Sequence, residues 1–457
     1  MFYKFYVEIF LYKILFLKVY IYSQILKIPF VTYDFFPNPI NSTNFVKHLY
    51  FSHIITNISI GSNNQSFFTP FKMQSYTTYI FESELYNNDK NSFEKLSPLF
   101  YKNKSNTYIN DSKLEFFVFE QFSEAYYSRD NFKIGFKKNF LILNKLKFFC
   151  ATDIYDQKID EVDTASVIGL KLSDDLDIGK NMTFIYQLKE RNLINFPTLT
   201  YKFSKKNFLD DKGDLIFGIN FFDHNNYILT KAEEISGYKK IDWGYNFKDV
   251  KYGNISLNYS NTAILLLEYE LIFGTSNFND YIKNNFFNYH QQECKKESFT
   301  NLFNNYYYYI CDKNINLKDF KSITFHLENY YFELTKDDLF YEYNNKKIFL
   351  IIGSNVHNSC WNFGRLFLKK YQIYFDFDRK LLGIFKGKVE KKKYINKNYI
   401  IVIILILIAM FLILYIFFYL RKYKILFNKK IIANEMKEEY YYNFNKKDEK
   451  TKNLLIK

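Results

Sequence analysis

The stretch Ile58–Phe81 (ISIGSNNQSFFTPFKMQSYTTYIF) decides the fold prediction for this chain. It alternates apolar and polar residues, turns at Gly61, and continues as a second apolar run that ends at Lys72. Alternation of this kind is typical of half-buried β-strands, and the glycine indicates a tight turn between two of them. The loop Lys72–Ser75 that follows looks like a functional site whose chemistry has been replaced.

A second stretch, Ala263–Gly274 (AILLLEYELIFG), repeats this arrangement in the other half of the chain. Lys72 is followed 97 residues later by Gly169, which closes the run Val-Ile-Gly, and Leu266 is followed 98 residues later by Gly364. Both halves thus repeat a strand, a special loop, and an apolar pair with a glycine. An internal repeat of this kind predicts two related β lobes that face each other.

The rest of the body favours a mainly β fold. Short runs rich in Phe, Tyr, Ile and Val recur between clusters of Asn, Gly, Asp and Ser, which is the pattern of strands separated by turns. Helical patterns are scarce, and the best are Thr183–Asn192 and Asn277–Phe286.

Composition excludes some classes of function. The chain has 457 residues, enough for about two domains, and a net charge of +14. No basic stripe in a nucleic-acid-binding motif accompanies that charge, so nucleic acid is not an expected partner. The four cysteines and the histidines lack the spacing of a zinc site, so no metal and no cofactor are predicted. The oligomeric state stays open.

The two ends of the chain predict a membrane protein of the secretory pathway. Residues 1–30 are apolar with interrupting lysines, as in a signal peptide or signal anchor; a disordered or wrongly assigned start is the alternative. Residues 31–47 are expected to be a linker or a short propeptide. Tyr399–Leu420 is an uncharged apolar run of 22 residues, and about 20 suffice for a transmembrane helix. Lysines flank this segment on both sides, so the distribution of positive charge does not determine its orientation in the membrane. The orientation is therefore predicted from the N-terminal signal. The expected topology is single-pass type I, with a lumenal or extracellular body and a basic cytoplasmic tail at 421–457.

Taken together, these segments resemble the pepsin-like aspartic protease family, in the same order along the chain, from about Tyr50 to Lys386. The resembling segments are Ile58–Ile80, Phe100–Tyr108, Phe117–Ser123, Ser166–Leu170, Phe184–Ile194, Gly213–Gly218, Ala263–Gly274, Cys311–Tyr341 and Trp361–Phe385. The last of them is similar to the family's closing motif WxLGDxFLRxYYxxFD. The apolar C-terminal segment is similar to that of membrane-anchored, plasmepsin-like members. The resemblance implies a bilobal body with an N-terminal lobe at 48–220 and a C-terminal lobe at 221–390.

The resemblance also implies that the catalytic pair is missing. The family's Asp-Thr-Gly-Ser falls on Lys72–Ser75, and its second catalytic aspartate falls on Leu266. The family mechanism needs two carboxylates that share a proton. A lysine ammonium has no acceptor, and a leucine exchanges no proton. The sequence therefore favours a protein without proteolytic activity, and no catalytic residue is assigned.

Other residues are candidates for a cleft between the lobes. The resemblance places the family's loop tryptophan at Tyr79 and its flap tyrosine at Phe119. Together with Ser75, Glu268 and Glu270, these residues are the expected lining of a cleft that binds a peptide or a protein. Glu268 is also expected to form an ion pair with Lys72 across the former site. An active endopeptidase with an unrecognised acid arrangement and a purely structural or adhesive ectodomain are the alternatives.

Three cysteines in the second half are candidates for a disulfide. The resemblance places a disulfide cysteine at Cys311, and its partner is either Cys294 or Cys360. The sequence alone does not choose between the connectivities.

Overall fold

The computed structural model describes most of the body and part of the C-terminal region. The described residues are 25–33, 42–83, 98–115, 122–136, 139–154, 164–172, 182–204, 212–219, 227–232, 243–257, 261–301, 304–327, 330–385, 411–412, 414–416, 418–423, 425–426, 428 and 430–440. They fall into two compact units, Met1–Val389 and Glu390–Lys457. The first unit carries all the sheets described below.

Strands dominate this unit, as the sequence predicts. The first half contains β1 (Leu26–Tyr33), β2 (His53–Ile60), β3 (Gln65–Lys72), β4 (Tyr79–Phe81), β5 (Ile109–Glu115), β6 (Phe122–Phe136), β7 (Asn139–Ile154), β8 (Ser166–Gly169), β9 (Thr198–Phe203) and β10 (Lys212–Phe217). The second half contains β11 (Tyr227–Lys231), β12 (Gly244–Asn246), β13 (Asp249–Tyr252), β14 (Ile255–Ser256), β15 (Thr262–Leu265), β16 (Ile272–Phe273), β17 (Cys294–Asn301), β18 (Asn304–Asp312), β19 (Ile323–Leu327), β20 (Tyr330–Leu334), β21 (Phe340–Tyr343), β22 (Lys346–Phe349), β23 (Ile351–Ser354), β24 (Trp361–Phe363), β25 (Ile373–Asp376) and β26 (Leu381–Phe385).

The α-helices described in this unit are few and short. They are α1 (Ser42–Phe51), α2 (Phe184–Glu190), α3 (Ser276–Ile282), α4 (Lys336–Leu339) and α5 (Arg365–Lys370). The two helices predicted from the sequence are present as α2 and α3, each shorter than expected. One π-helical turn (Lys283–Phe287) continues α3 over part of the predicted range.

The largest sheet joins the two halves of the chain. Its order is β11-β26-β25-β9-β10-β1-β2-β3-β8-β4-β7-β6-β5. The junction is the antiparallel pair β25–β9, in which Tyr374 faces Thr200. Strands from the second half therefore extend the sheet of the first half directly.

The hairpin at the start of the deciding stretch forms as predicted. β2 and β3 pair in antiparallel register, with Ile58 opposite Phe67. Gly61 and Asn64 in the turn have positive φ angles of 77° and 51°, which glycine and asparagine tolerate better than other residues. The apolar side chains on the inner face, including Ile58, Ile60 and Phe67, lie in the core.

The predicted repeat corresponds to two equivalent strand arrangements. In the first half β3 runs parallel to β8, and β4 lies between β8 and β7. In the second half β15 runs parallel to β24, and β16 lies between β24 and β23. Gly169 and Gly364 close the equivalent strands because the neighbouring loop backbone leaves no room for a side chain. A Cβ atom would lie 2.5 Å from the Thr77 carbonyl oxygen at Gly169 and 2.2 Å from that of Leu271 at Gly364.

The N-terminal region is more integrated than the sequence suggests. Of the residues expected to form a linker or a short propeptide (31–47), those up to Tyr33 belong to β1 and those from Ser42 onward belong to α1. β1 pairs with β10 along one edge and with β2 at its end. The boundary of the expected signal segment at residue 30 also falls inside β1. Residues 1–24 of the expected signal peptide or signal anchor lie outside the described residues.

A single disulfide joins two of the three candidate cysteines. Cys294 and Cys311 face each other across the antiparallel pair β17–β18 and are bonded. Cys360 is a buried thiol instead, as is Cys150. The partner left open by the sequence is thus Cys294.

The second unit contains helical residues between 411 and 440. Where this region is described, no helix is long and apolar enough to span a membrane. Residues 399–410, 413 and 417 of the predicted transmembrane segment lie outside the described residues, as do 441–457 of the predicted tail.

Candidate functional site

Two equivalent loops end the equivalent strands and meet between the halves. The first loop (Lys72–Ser75) follows β3, and the second loop (Leu266–Glu270) follows β15. The backbone N–H of Gln74 in the first loop donates a hydrogen bond of 2.7 Å to the Glu268 carboxylate in the second. The two loops that the repeat identifies therefore touch directly.

The two positions that the resemblance assigns to catalytic acids have no acid here. Lys72 is half-buried at the end of β3, and its carbonyl accepts from the backbone N–H of Leu170. Leu266 is buried, and its backbone N–H donates to Phe363. Met73 and Leu267, the next residues, are completely buried in the core. Apolar packing thus holds both loops at these points.

The expected ion pair between Lys72 and Glu268 does not form. None of the ion pairs among the described residues includes Lys72. Glu268 instead accepts from the backbone of Gln74, and the second acid of the loop, Glu270, is bound to other cations.

Glu270 lies in a buried cluster of charges. One carboxylate oxygen accepts from Arg365 Nε at 2.8 Å, and the other accepts from Lys369 Nζ. Burial of the carboxyl opposes its ionisation, but the charges and hydrogen bonds of Lys369 and Arg365 outweigh that effect. The pKa of Glu270 is therefore lowered below its usual value. The carboxylate is held ionised and cannot act as a neutral acid.

Arg365 connects this cluster to the first half of the chain. Its Nη1 donates to the carbonyl oxygens of Leu267 and Glu268, and its Nη2 donates to the carbonyl and hydroxyl oxygens of Ser52. With the bond to Glu270, all five N–H groups of a guanidinium have acceptors. Arg365 is completely buried, so this saturation is what makes its burial tolerable.

Aromatic contacts accompany the polar ones. Tyr50, near the end of α1, packs against Tyr269 of the second loop with ring centroids 5.3 Å apart. The same ring contacts Phe273, Phe299 and Tyr306. The second loop is therefore covered by a helix from the other half of the chain.

The predicted cleft residues do not line an accessible groove. The exposed fractions are 4% for Ser75, 1% for Tyr79, 2% for Glu268 and 1% for Glu270. Ser75 donates its hydroxyl to the Thr77 carbonyl, and the Tyr79 ring packs edge-on against Phe81. All four side chains are thus buried, which the sequence did not indicate, and their contact with a ligand stays a prediction. Phe119 lies outside the described residues.

The chemistry open to the site is limited. Of its two carboxylates, one is bound by a backbone amide and the other by two cations. No group of three or more His, Cys, Asp or Glu that could hold a metal ion occurs among the residues that the structure describes. The arrangement offers electrostatic and packing interactions between the halves.

Sequence reasoning missed four residues that organise the site: Tyr50, Ser52, Arg365 and Lys369. One signal was present. Arg365 stands at the aspartate of the closing motif WxLGDxFLR, while Glu270 stands where that family has a serine. Arg365 thus replaces an acid of the family motif, and Glu270 replaces an uncharged residue. Opposite charges introduced at two such positions indicate that the two residues form a compensating ion pair. Tyr50 and Ser52 carried no comparable signal.

Comparison of the sequence with models of known protein families identifies a family for the part of the chain that contains both loops. Residues 53–386 match the family model described as eukaryotic aspartyl protease. A search of curated proteins finds no match to the chain. The family match covers more than half of the chain and includes both loops and both equivalent strand arrangements. We conclude that the chain belongs to the eukaryotic aspartyl protease family.

Proposed function

We propose that this protein is a membrane-anchored, plasmepsin-like member of the family that has lost proteolytic activity and acts by binding a peptide or protein partner. Lys72 and Leu266 take the places of the two catalytic aspartates. The loss of activity is supported above all by the second loop, whose acids are Glu268 and Glu270. Glu270 is held ionised by two cations, and Glu268 is 2% exposed and accepts from the Gln74 amide, which supports the proposal that neither activates a water.

Substitution of the supporting residues strengthens the proposal. Met73 and Leu267 replace the hydroxyl side chains that the family has in its loops, and both are buried among apolar residues. A buried apolar neighbour gives no hydrogen bond to orient a carboxylate or a water. Restoring one acid alone would therefore not restore a catalytic arrangement.

Membrane anchoring is the second part of the proposal. It is supported by the uncharged segment Tyr399–Leu420, which has the length and composition of a transmembrane helix. The disulfide Cys294–Cys311 supports a body in an oxidising compartment, where such bonds persist. Both features fit a single-pass protein of the secretory pathway with a lumenal body.

A structural or adhesive role is a second candidate. It is favoured by the burial of Ser75, Tyr79, Glu268 and Glu270, since none of these side chains is accessible to a ligand. Under this alternative the fold is a scaffold, and any binding surface lies elsewhere on the body.

Activity is tested with the full chain purified in a mild detergent. The protein is incubated with a denatured protein substrate at about pH 4–6, where ionised and protonated carboxyls coexist. We expect no cleavage, with or without pepstatin. Cleavage that pepstatin inhibits and that Glu268→Gln abolishes would show an active endopeptidase, and the proposal would be abandoned.

Binding is tested in membranes. Proteins cross-linked to the full chain are isolated, and extended peptides are added as competitors during cross-linking. A partner displaced by extended peptides is the expected result. A partner that peptides do not displace would favour the scaffold role.

A further inference from the structure

The segment from Ser42 to Ser52, which consists of α1 and the residue that follows it, lies before the residues that match the family and makes contacts that the proposed function does not use. It belongs to the first half of the chain, since β2 begins at His53. Its described contacts nevertheless reach deep into the second half. We call this segment the strap.

Among the side chains that the structure describes, three attach the strap to the second half. Near its start, the Phe45 ring stacks on Tyr343 with centroids 4.1 Å apart and on Tyr341 at 5.4 Å. Near its end, Tyr50 packs into the aromatic cluster that includes Tyr269 of the second loop. At its last residue, Ser52 accepts two hydrogen bonds from Arg365. The attachments thus extend along the whole segment.

The last attachment differs from the other two because it is charged and completely buried. Arg365 also donates to Glu270 and to two carbonyl groups of the second loop. One guanidinium therefore binds the strap and the second loop at the same time. Movement of the strap away from the second half would leave two N–H groups of a buried cation without acceptors, which is costly.

We propose that the strap is a latch which holds the second loop against the first, with Arg365 as its anchor. In this arrangement the contact between Gln74 and Glu268 depends on the strap, which is linked to the Glu268 backbone through Arg365. The latch fixes the relative position of the two loops at the centre of the molecule.

Hydrogen exchange measured by mass spectrometry on the full chain in detergent tests this proposal. The first variant is Arg365→Met, which keeps an unbranched apolar stem and removes every N–H donor. The second variant, Tyr50→Ala combined with Ser52→Ala, weakens two attachments of the strap by removing the Tyr50 ring and the Ser52 hydroxyl, and it leaves Arg365 bound to Glu270 and to the carbonyl of residue 52. The matched control is Lys189→Met, which removes an exposed ion pair of 2.6 Å with Asp378 that also joins the two halves.

We expect amide exchange in residues 45–51 to increase about 10- to 100-fold in both variants, as the loss of a hydrogen bond to a charged group implies. The informative amide is that of Gln74, because neither variant alters the residue or its acceptor. Its exchange should also increase, while the core strands β6 and β7 stay protected. The control should exchange as the wild type does.

Two results would overturn the proposal. The first is exchange in residues 45–51 that is unchanged from the Lys189→Met control. The second is an increase in the strap without any change at Gln74, which would make the strap a local packing element only. If Arg365→Met does not fold, the double variant alone decides between these outcomes. The test does not depend on binding or catalysis, so it is independent of the proposed function.

Discussion

Glu270 shows how a single side chain can define what a site does. In isolation, an acid beside a catalytic position suggests an alternative general acid. In the folded protein it lies between Arg365 and Lys369. The exposed fraction of the Glu270 side chain is 2%, and that of the Arg365 side chain is 0%. Both cations stabilise its ionised form and lower its pKa. Its role is therefore to compensate buried positive charge.

The first prediction concerns the stability contributed by Glu270. Glu270→Gln removes the negative charge and leaves two cations near each other, so we expect a loss of about 3–5 kcal/mol at pH 7. Because the folded-state pKa lies below the unfolded value of about 4.3, the contribution is complete above that pH and disappears as the pH falls through the folded pKa. The difference between wild type and variant should therefore shrink below about pH 4. Urea unfolding at several pH values measures it.

Lys313→Met serves as the control, since Lys313 forms an ion pair with Glu342 in which both side chains are about half exposed. Such pairs contribute little, about 0–1 kcal/mol. A difference between wild type and Glu270→Gln that stayed constant down to pH 2 would contradict the lowered pKa.

At the scale of elements, the β17–β18 hairpin and strand β1 are held by interactions that the local sequence shows only in part. The β17–β18 hairpin is rich in Tyr and Lys, and its Lys296 ammonium lies 3.7 Å from the centroid of the Tyr307 ring. The Cys294–Cys311 bond closes this hairpin at its open end. β1, by contrast, is fixed along most of its length by pairing with β10, in which Leu26 lies opposite Phe217, 191 residues later in the chain.

The second prediction concerns the disulfide. The two cysteines are 17 residues apart, and closing a loop of that size stabilises a protein by about 3 kcal/mol. Cys294→Ser combined with Cys311→Ser should lower the free energy of unfolding by about that amount. Dithiothreitol should lower the stability of the wild type to the same level and leave the double variant unchanged. An equal effect of dithiothreitol on both proteins would contradict this pairing.

The third prediction concerns β1. Deletion of residues 1–41 removes a strand that pairs with both β10 and β2, so it exposes the hydrogen-bonding edges of two strands. Exposed edges favour aggregation. We expect this truncation to be insoluble or to unfold at much lower urea, whereas a chain that begins at Gln24 keeps the strand and should remain folded. Size-exclusion chromatography compares the two. Equal recovery of monomer from both would show that β1 is dispensable.

At the scale of the whole molecule, the two halves are joined by a shared sheet and by direct contacts. They share the large sheet through β25 and β9, and they meet again at the loops. A further link lies nearby, where the buried Trp243 indole donates to the Leu170 carbonyl at 2.9 Å. The donor is in the second half and the acceptor is in the first, directly after Gly169.

The fourth prediction follows from this shared structure. The two halves should unfold together, so urea curves followed by circular dichroism and by tryptophan fluorescence should coincide. In Trp243→Phe the remaining fluorescence comes from Trp361, and the midpoint should fall because a hydrogen bond worth about 1 kcal/mol is lost. Two separated transitions in the wild type would contradict the prediction.

Much of the fold was predictable because strand patterns are local. The alternation in Ile58–Phe81, the turn at Gly61 and the repeat at Ala263–Gly274 specify β2, β3 and the equivalent strands, and the structure contains all of them. The glycines at 169 and 364 were visible as a repeat, although the reason for them, close loop backbone, was not.

The sequence by itself determined the mainly β fold, the two related halves and the membership in the family, since these depend on patterns within short segments and on their order. Only the tertiary structure decided which groups bind the acids of the second loop. Those partners are 194 residues apart for Gln74 and Glu268, 95 for Glu270 and Arg365, and 313 for Ser52 and Arg365. Hydrogen bonds and ion pairs act over a few ångströms, so their partners are fixed by how the chain folds back on itself. The same reason explains why Lys72 and Glu268, which have opposite charges in equivalent loops, do not pair.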